Sequence, residues 1–266
     1  MTDIRFGCQT YSWQMTIDTY RGRLDHMAAT AANAGFAGLE PEIVMLGNDW
    51  SGATLTSTLD RYGIALAALC FVQPWSGAVE TDEEARAADS AIAAVAGIPG
   101  AILNLCQLPG TDRNDLAERQ MHAIACVAAI AERAADRGVH CTFHPNSPAG
   151  SVFRTADDYD LLLDRLPDHI GFTPDLGHVV NGGMDPLELL MKYRDRVDHI
   201  HYKDIDVGGE WAETGAGTVD FVAVTDYLSR TGYHGWIVME DESSRAERDP
   251  DGAAARNGDY VRTVLQ

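Results

Sequence analysis

Short apolar runs alternate with longer amphipathic stretches eight times along the chain, without a linker or low-complexity break, and this alternation constrains the fold most strongly. The runs cover residues 4–9, 37–40, 64–71, 101–106, 139–144, 170–173, 199–202 and 236–240, each of strand length. Helical spacing is clearest over residues 116–135, where Leu116, Gln120, Ile124, Val127, Ala131 and Ala134 recur on one face. Gly35, Gly97 and Gly232 stand where a helix should close and a strand begin, a place that favours left-handed backbone. Eight β/α units spell an α/β chain folded as a (β/α)8 TIM barrel. The 266 residues suit one such domain of roughly 250, so 1–266 is read as a single TIM-barrel domain. A doubly wound open sheet is the alternative, but no G-x-G-x-x-G loop follows the first run.

Composition narrows the function. With 45% hydrophobic residues the chain can bury a sizeable core, and 20 Lys+Arg against 40 Asp+Glu leave a net charge of -20. Such a charge repels polyphosphates, so neither nucleic acid nor an anionic membrane is an expected partner. Five cysteines include no C-x-x-C pair, and Cys8, Cys70, Cys106 and Cys141 lie in apolar runs, as expected of buried thiols in a reducing compartment. From Met1 no basic region leads into an apolar stretch, and the longest apolar run, 64–72, is about half a membrane span. A soluble, cytoplasmic protein is expected.

In a barrel of this kind chemistry sits at the C-terminal ends of the strands. There the sequence places Glu40 and Glu42, Asn104 to Gln107, His144 and Asn146, Asp175 and His178, His201 to Asp204, and Glu240 to Glu242. Asp175, His201 and Glu240 close three consecutive strands and His144 the strand before, which gathers two carboxylates and two imidazoles around one point. Mixed oxygen and nitrogen ligands suit Mn²⁺, Fe²⁺, Co²⁺ or Zn²⁺ better than Mg²⁺ or Ca²⁺. Taken singly, each of the four is more ordinarily a helix cap or loop residue; their succession favours a metal site. His178 and Asp204 are placed to orient the ligands. Glu40, which ends its run directly, is favoured over Glu42 to hold a substrate hydroxyl, with capping as the bland alternative. Gln107, Asn146, His178 and Arg154 complete the candidate substrate contacts, and Trp211, in a glycine-rich loop over 208–217, either covers a sugar-like ring or packs over the barrel mouth. The acidic stretch 241–250 reads as a solvated loop able to close over the site, and His26, His122, His140, His169 and His234 fall away from the chemical face.

These residues resemble the xylose-isomerase-like superfamily of sugar isomerases, epimerases and keto-polyol dehydratases. The resemblance spans nearly the whole chain and rests on GFAGLE at 35–40, DLGH at 175–178, HYKD at 201–204 and GWIVME at 235–240. It implies a divalent metal, manganese before cobalt, iron, zinc or magnesium, held by Asp175, His201 and Glu240 with a carbonyl-bearing sugar or polyol. Many relatives close strand five with a glutamate that is ligand and base; here the segment reads Cys141-Thr142-Phe143-His144-Pro145-Asn146 and contains no acid. That ending is similar to the inosose dehydratase branch and to lyase subunits that cleave oxidised C-glycosides, which leaves room for a homo-oligomer or a small partner subunit. His144 is either a fourth ligand or a base beside the metal.

A metal that polarises a carbonyl makes the α-hydrogen removable by a positioned base. Epimerases of the superfamily typically use two glutamates on opposite faces of the substrate, and one is missing here. β-Elimination needs one base and one donor for the leaving oxygen, roles open to His144 and to Glu240, Lys203 or His178. A lyase acting on a small neutral keto-sugar or keto-polyol is therefore ranked above an isomerase or epimerase, and both above a non-catalytic sugar-binding subunit. The DNA-repair relative of the superfamily needs a basic face, which the charge balance opposes.

Overall fold

The computed structural model describes residues 4–48 and 50–266; Met1–Asp3, on which part of the N-terminal reading rests, and Asp49 lie outside the described residues. The barrel is built from β1 (Ile4–Gln9), β2 (Gly38–Glu40), β3 (Ala65–Leu66), β4 (Ala68–Gln73), β5 (Ile102–Gln107), β6 (His140–His144), β7 (Gly171–Phe172) and β8 (His199–Tyr202). A two-stranded hairpin, β9 (Asp204–Ile205) and β10 (Trp211–Ala212), then precedes the last barrel strand, β11 (Gly235–Met239). β3 and β4 are two halves of one barrel strand that break at Ala67. All barrel pairings are parallel and run β3-β2-β1-β11-β8 and β4-β5-β6-β7. Single bridges close the two arcs, Glu42 to Cys70 on one side and Phe172 to Val197 and Asp175 to His201 on the other. The expected TIM barrel is what forms.

Helices cover the outside of the sheet. The longest, Leu116–Ala135, has the expected bounds and turns Ala123, Ile124, Val127, Ile130, Ala131 and Ala134 inward. Many acids of this acidic chain serve as helix caps, which satisfies end N–H groups that no helical carbonyl reaches. Asp185 and Asp220 accept from backbone N–H groups three residues on, and Thr81 with Glu84 forms a reciprocal capping box. Gly35, Gly97 and Gly232 all have positive φ, the left-handed closure read from the sequence. All five cysteines are buried and free. Among the described residues no helix is long and apolar enough to cross a membrane.

The barrel floor explains GFAGLE and GWIVME together. A Cβ on Gly38 would stand 2.5 Å from Cη2 of Trp236, so the missing side chain lets the indole lie across the barrel base. The Arg5 guanidinium lies over that ring at 4.1 Å. Above this floor the alternation of each strand carries inward side chains upward two residues at a time, His199 to His201 to Lys203 on one strand and Trp236 to Val238 to Glu240 on the next.

Candidate active site

Asp175, His201 and Glu240 meet His144 above the barrel core, and one donor atom from each of the four lies within 4.8 Å of the others. Their origins differ. Asp175 caps the helix Leu176–Asn181 with Oδ1, which accepts from the His178 N–H at 2.9 Å, while Oδ2 is left facing the cluster. Helix cap and site residue, alternatives in the sequence, are thus one side chain using its two oxygens separately. His201 Nδ1 lies 2.7 Å from Glu240 Oε2, and His144 Nε2 lies 3.7 Å from Asp175 Oδ2. Both ring nitrogens of His144 are buried with no hydrogen-bond partner, and Oδ2 of Asp175 meets only an ion-pair partner, Lys203 Nζ at 3.2 Å. Buried polar atoms are rarely left so, and a mixed set of imidazoles and carboxylates with unspent lone pairs fits a divalent transition metal.

Lys203 lies beside this cluster, fully buried, with Nζ 3.2 Å from Asp175 Oδ2, 3.0 Å from Glu240 Oε1 and 2.7 Å from Glu242 Oε1. Burial disfavours its charge, but the three carboxylates outweigh burial and hold its pKa well above the ordinary lysine value. Reciprocally, burial acts to raise Glu240 while Lys203 and His201 draw it below the ordinary range. Nζ also lies 3.0 Å from His178 Nε2, and Ser147 Oγ meets His178 Nδ1 at 2.7 Å. Burial first, and the ammonium second, push His178 down to about 3, so it is a neutral ring. The Ser147 N–H also points at Nδ1, at 3.2 Å, and Asn181 Nδ2 donates to Ser147 Oγ at 2.8 Å, so donors approach this ring at both nitrogens and compete for its one lone pair.

A cavity of about 250 Å³ opens onto these groups. Of the residues read from the sequence, His144, His201, Glu240, Gln107, Asn146, His178 and Trp211 line it. The Trp211 ring is held edge-on to His178 at 5.1 Å and 4.7 Å from the Lys203 ammonium. Its hairpin is tied down by Glu213, which pairs with Arg245 at 2.9 Å and Arg256 at 3.0 Å.

Four readings are corrected. Glu40 does not face the cavity: it is wholly buried one level lower, where its oxygens meet His199, His201 and Asn104. Arg154 is turned into its own loop, donating to the carbonyls of Ser147 at 2.8 Å and Asn181 at 3.3 Å, and does not line the cavity. Asp204 orients no ligand; its carboxylate accepts from the N–H groups of Ile205, Gly215, Gly217 and Val219 and so shapes the 204–219 loop. The stretch 241–250 is not a solvated loop: Asp241 and Ser243 are buried, Ser243 caps the helix Ser244–Arg248, and Glu242 turns inward to Lys203. His26, His122 and His140 pair with Asp251, Ser76 and Asp198, and His169 and His234 are exposed, all away from the cavity.

His199 and several cavity-lining residues were not among the expected site residues, and Glu42 was ranked behind Glu40. His199 begins its strand instead of ending it, yet H-x-H places it on the same face as His201. Tyr11 and Glu42 both line the cavity. Burial, with Glu240 and Glu40 nearby, raises Glu42 to about 7 against a hydrogen bond from Gln14, and burial likewise raises Glu242 to about 7 against Lys203.

The chain is 29% identical over 154 residues to an inosose dehydratase of Lacticaseibacillus casei, a match covering 51% of this chain and 51% of that protein. It thus spans about half the length of the curated relatives it matches. A solved structure of the IOLI protein with a bound zinc atom superposes with a TM-score of 0.76 at 14% identity, covering 96% of each chain. A D-allulose 3-epimerase from Methylomonas sp. superposes with a TM-score of 0.72 at 18% identity, covering 98% of each. At such identities the two structures speak for the fold alone. A family profile matches residues 28–263, and on that match the chain belongs to the xylose isomerase-like TIM barrel family.

Proposed function

We propose that this protein is a divalent-metal-dependent lyase that removes a proton α to the carbonyl of a keto-polyol or keto-sugar and expels the β substituent. The observation that carries the reading is His144, a buried imidazole with both nitrogens unspent, where β6 ends without a carboxylate. The inosose dehydratase relative supports a dehydratase-type reaction on a polyol-like substrate. Asp175, His201 and Glu240 would hold the metal, with manganese the first choice and zinc, as in the IOLI structure, an alternative. When bound, it supplies a positive charge that stabilises the enolate of the substrate.

The protein's own groups do the rest. His144 takes the α-proton: burial acts to lower its pKa, the neighbouring Asp175 carboxylate and Cys106 outweigh burial and hold it well above the ordinary imidazole value, and an Asp175 engaged by the metal would release that hold. Glu242, which lines the cavity with its pKa raised to about 7, gives a proton to the leaving oxygen and regains one from solvent, while the charged Lys203, 2.7 Å away and outside the cavity lining, steadies the carboxylate that forms. Gln107, Asn146 and His178 are placed to bind hydroxyls, and Trp211 offers a flat apolar face to a sugar-like ring. Glu42, Glu240 and Glu242 leave the cavity with no unpaired cation among its described lining residues, which favours a neutral substrate over a phosphate ester or carboxylate.

An epimerase is the second reading, favoured by Glu42, a carboxyl in the same cavity able to serve as a second proton carrier. The separating experiment is His144→Gln on manganese-loaded protein, followed in deuterated solvent with keto-inositols, 3-keto-glycosides and free ketoses. Retained metal with exchange and elimination both lowered by about a hundred- to ten-thousandfold supports the base. Lost metal makes His144 a ligand instead. Stereochemical inversion at the α-carbon without elimination, in the unaltered protein, replaces the lyase by the epimerase.

A further inference from the structure

The barrel layer below the site is polar where such layers are ordinarily filled by Val, Ile and Leu. Glu40 stands at its centre with no exposed surface. Oε2 lies 2.6 Å from His199 Nε2 and 2.9 Å from His201 Nε2, while Oε1 accepts from Asn104 Nδ2 at 2.8 Å. Asn104 in turn accepts from Thr142 Oγ1 at 3.1 Å. Isolating a carboxylate from water is costly, and replacing a buried ionic cluster by apolar side chains is often neutral or stabilising. Stability alone therefore gives no reason for Glu40.

Its chemistry toward His201 does. An ionised carboxylate only accepts, so an imidazole nitrogen that approaches it must carry the proton. His201 has one nitrogen at Glu40 and the other, Nδ1, 2.7 Å from Glu240 Oε2 in the candidate metal centre. A neutral ring with hydrogen on Nε2 has its lone pair on Nδ1. Nδ1 and a carboxylate oxygen at that separation are compatible only with a cation shared between them, a proton or a metal ion. His199 spends its own Nε2 on the same oxygen and leaves Nδ1 without a partner, so it supports Glu40 and reaches nothing above it.

We propose that Glu40 is the positioning residue that fixes His201 with hydrogen on Nε2 and so presents Nδ1 to the metal. The inference rests on the metal-centre reading above and goes beyond it by assigning a task to a residue that touches neither cavity nor substrate. A carboxylate behind a ligating imidazole orients the ring and makes it more basic, and its loss typically weakens metal binding ten- to hundredfold.

Two measurements test this. In zinc-loaded protein carrying ¹⁵N in its histidines, long-range ¹H–¹⁵N spectra should show His201 bound to zinc through Nδ1, with a slowly exchanging proton on Nε2. In Glu40→Gln, which keeps the volume, competition with a chromophoric chelator should show zinc held ten- to hundredfold more weakly, and the Nε2 proton should exchange faster. Zinc bound through Nε2 overturns the proposal, as does a folded Glu40→Gln that binds zinc within twofold of the unaltered protein. The first measurement needs no variant and decides the matter if Glu40→Gln does not fold. No zinc binding by the unaltered protein overturns the metal-centre reading along with this one, whereas zinc bound through Nε2 overturns this one alone.

Discussion

Lys203→Met tests whether the lysine holds three acids together. The side chain is fully buried, and its ammonium lies within 3.2 Å of oxygens from Asp175, Glu240 and Glu242. Methionine fills similar space, so the loss is mainly of charge. Removing one partner from a buried ionic cluster costs about 3–5 kcal/mol, because the remaining charges keep their desolvation and lose their compensation. For a chain of this size that is a fall in Tm of roughly 6–20 °C. Signs follow from the shifts. Lys203 is raised above its unfolded value, so its contribution is complete below about pH 10 and fades only as pH rises through its still higher folded value. Asp175 and Glu240 are lowered, so theirs holds above about pH 4 and is lost as pH falls through their folded values. Without the lysine these two acids take up protons more readily, and Glu242, already at about 7, does so first. The deficit, measured by urea unfolding with a chelator present, should therefore be largest near pH 8 and fall by about half by pH 5.5, while added Mn²⁺ recovers part of it. A deficit below about 1 kcal/mol at pH 8, or one equal at both pH values, refutes the argument.

Two further expectations follow from the same acid-rich architecture. A free keto-polyol should be turned over at least about tenfold more efficiently than its phosphate ester, since Glu42, Glu240 and Glu242 line the cavity; kcat/KM for the pair checks this, and a preference for the ester reverses it. Asp158→Asn should cost about 2–4 kcal/mol, because this buried carboxylate accepts from Arg154 N, Thr155 N, Thr155 Oγ1 and Gln120 Nε2 and pairs with Arg113. Burial acts to raise Asp158, and the backbone donors of Thr155 and Arg154 draw it lower, so the gap between variant and unaltered protein in urea unfolding should stay constant above about pH 4 and close only below it.

The barrel was legible because apolar period, glycine punctuation and chain length all report local geometry. Height within the barrel was not. Paired residues climb as the strands go round, from Glu42 to Cys70, from Cys70 to Asn104 and from Asn104 to Thr142, so the last residue of a run marks no constant level. Glu40 ends its run as Glu240 nearly does, yet it meets His199 and Asn104 below the site while Glu42, two residues on, reaches the cavity. Counting two residues along each strand from a fixed pairing row, instead of stopping where hydrophobicity ends, would have exchanged the roles of the two glutamates and found His199. The inward turn of Glu242 had no such signal. A run as charged as 241–249 reads as solvent-facing unless its partner is known, and Lys203 lies 39 residues earlier on another strand. Sequence period thus places a side chain on a face, whereas barrel stagger and long-range ion pairs decide which of those faces is the floor, the site or the wall.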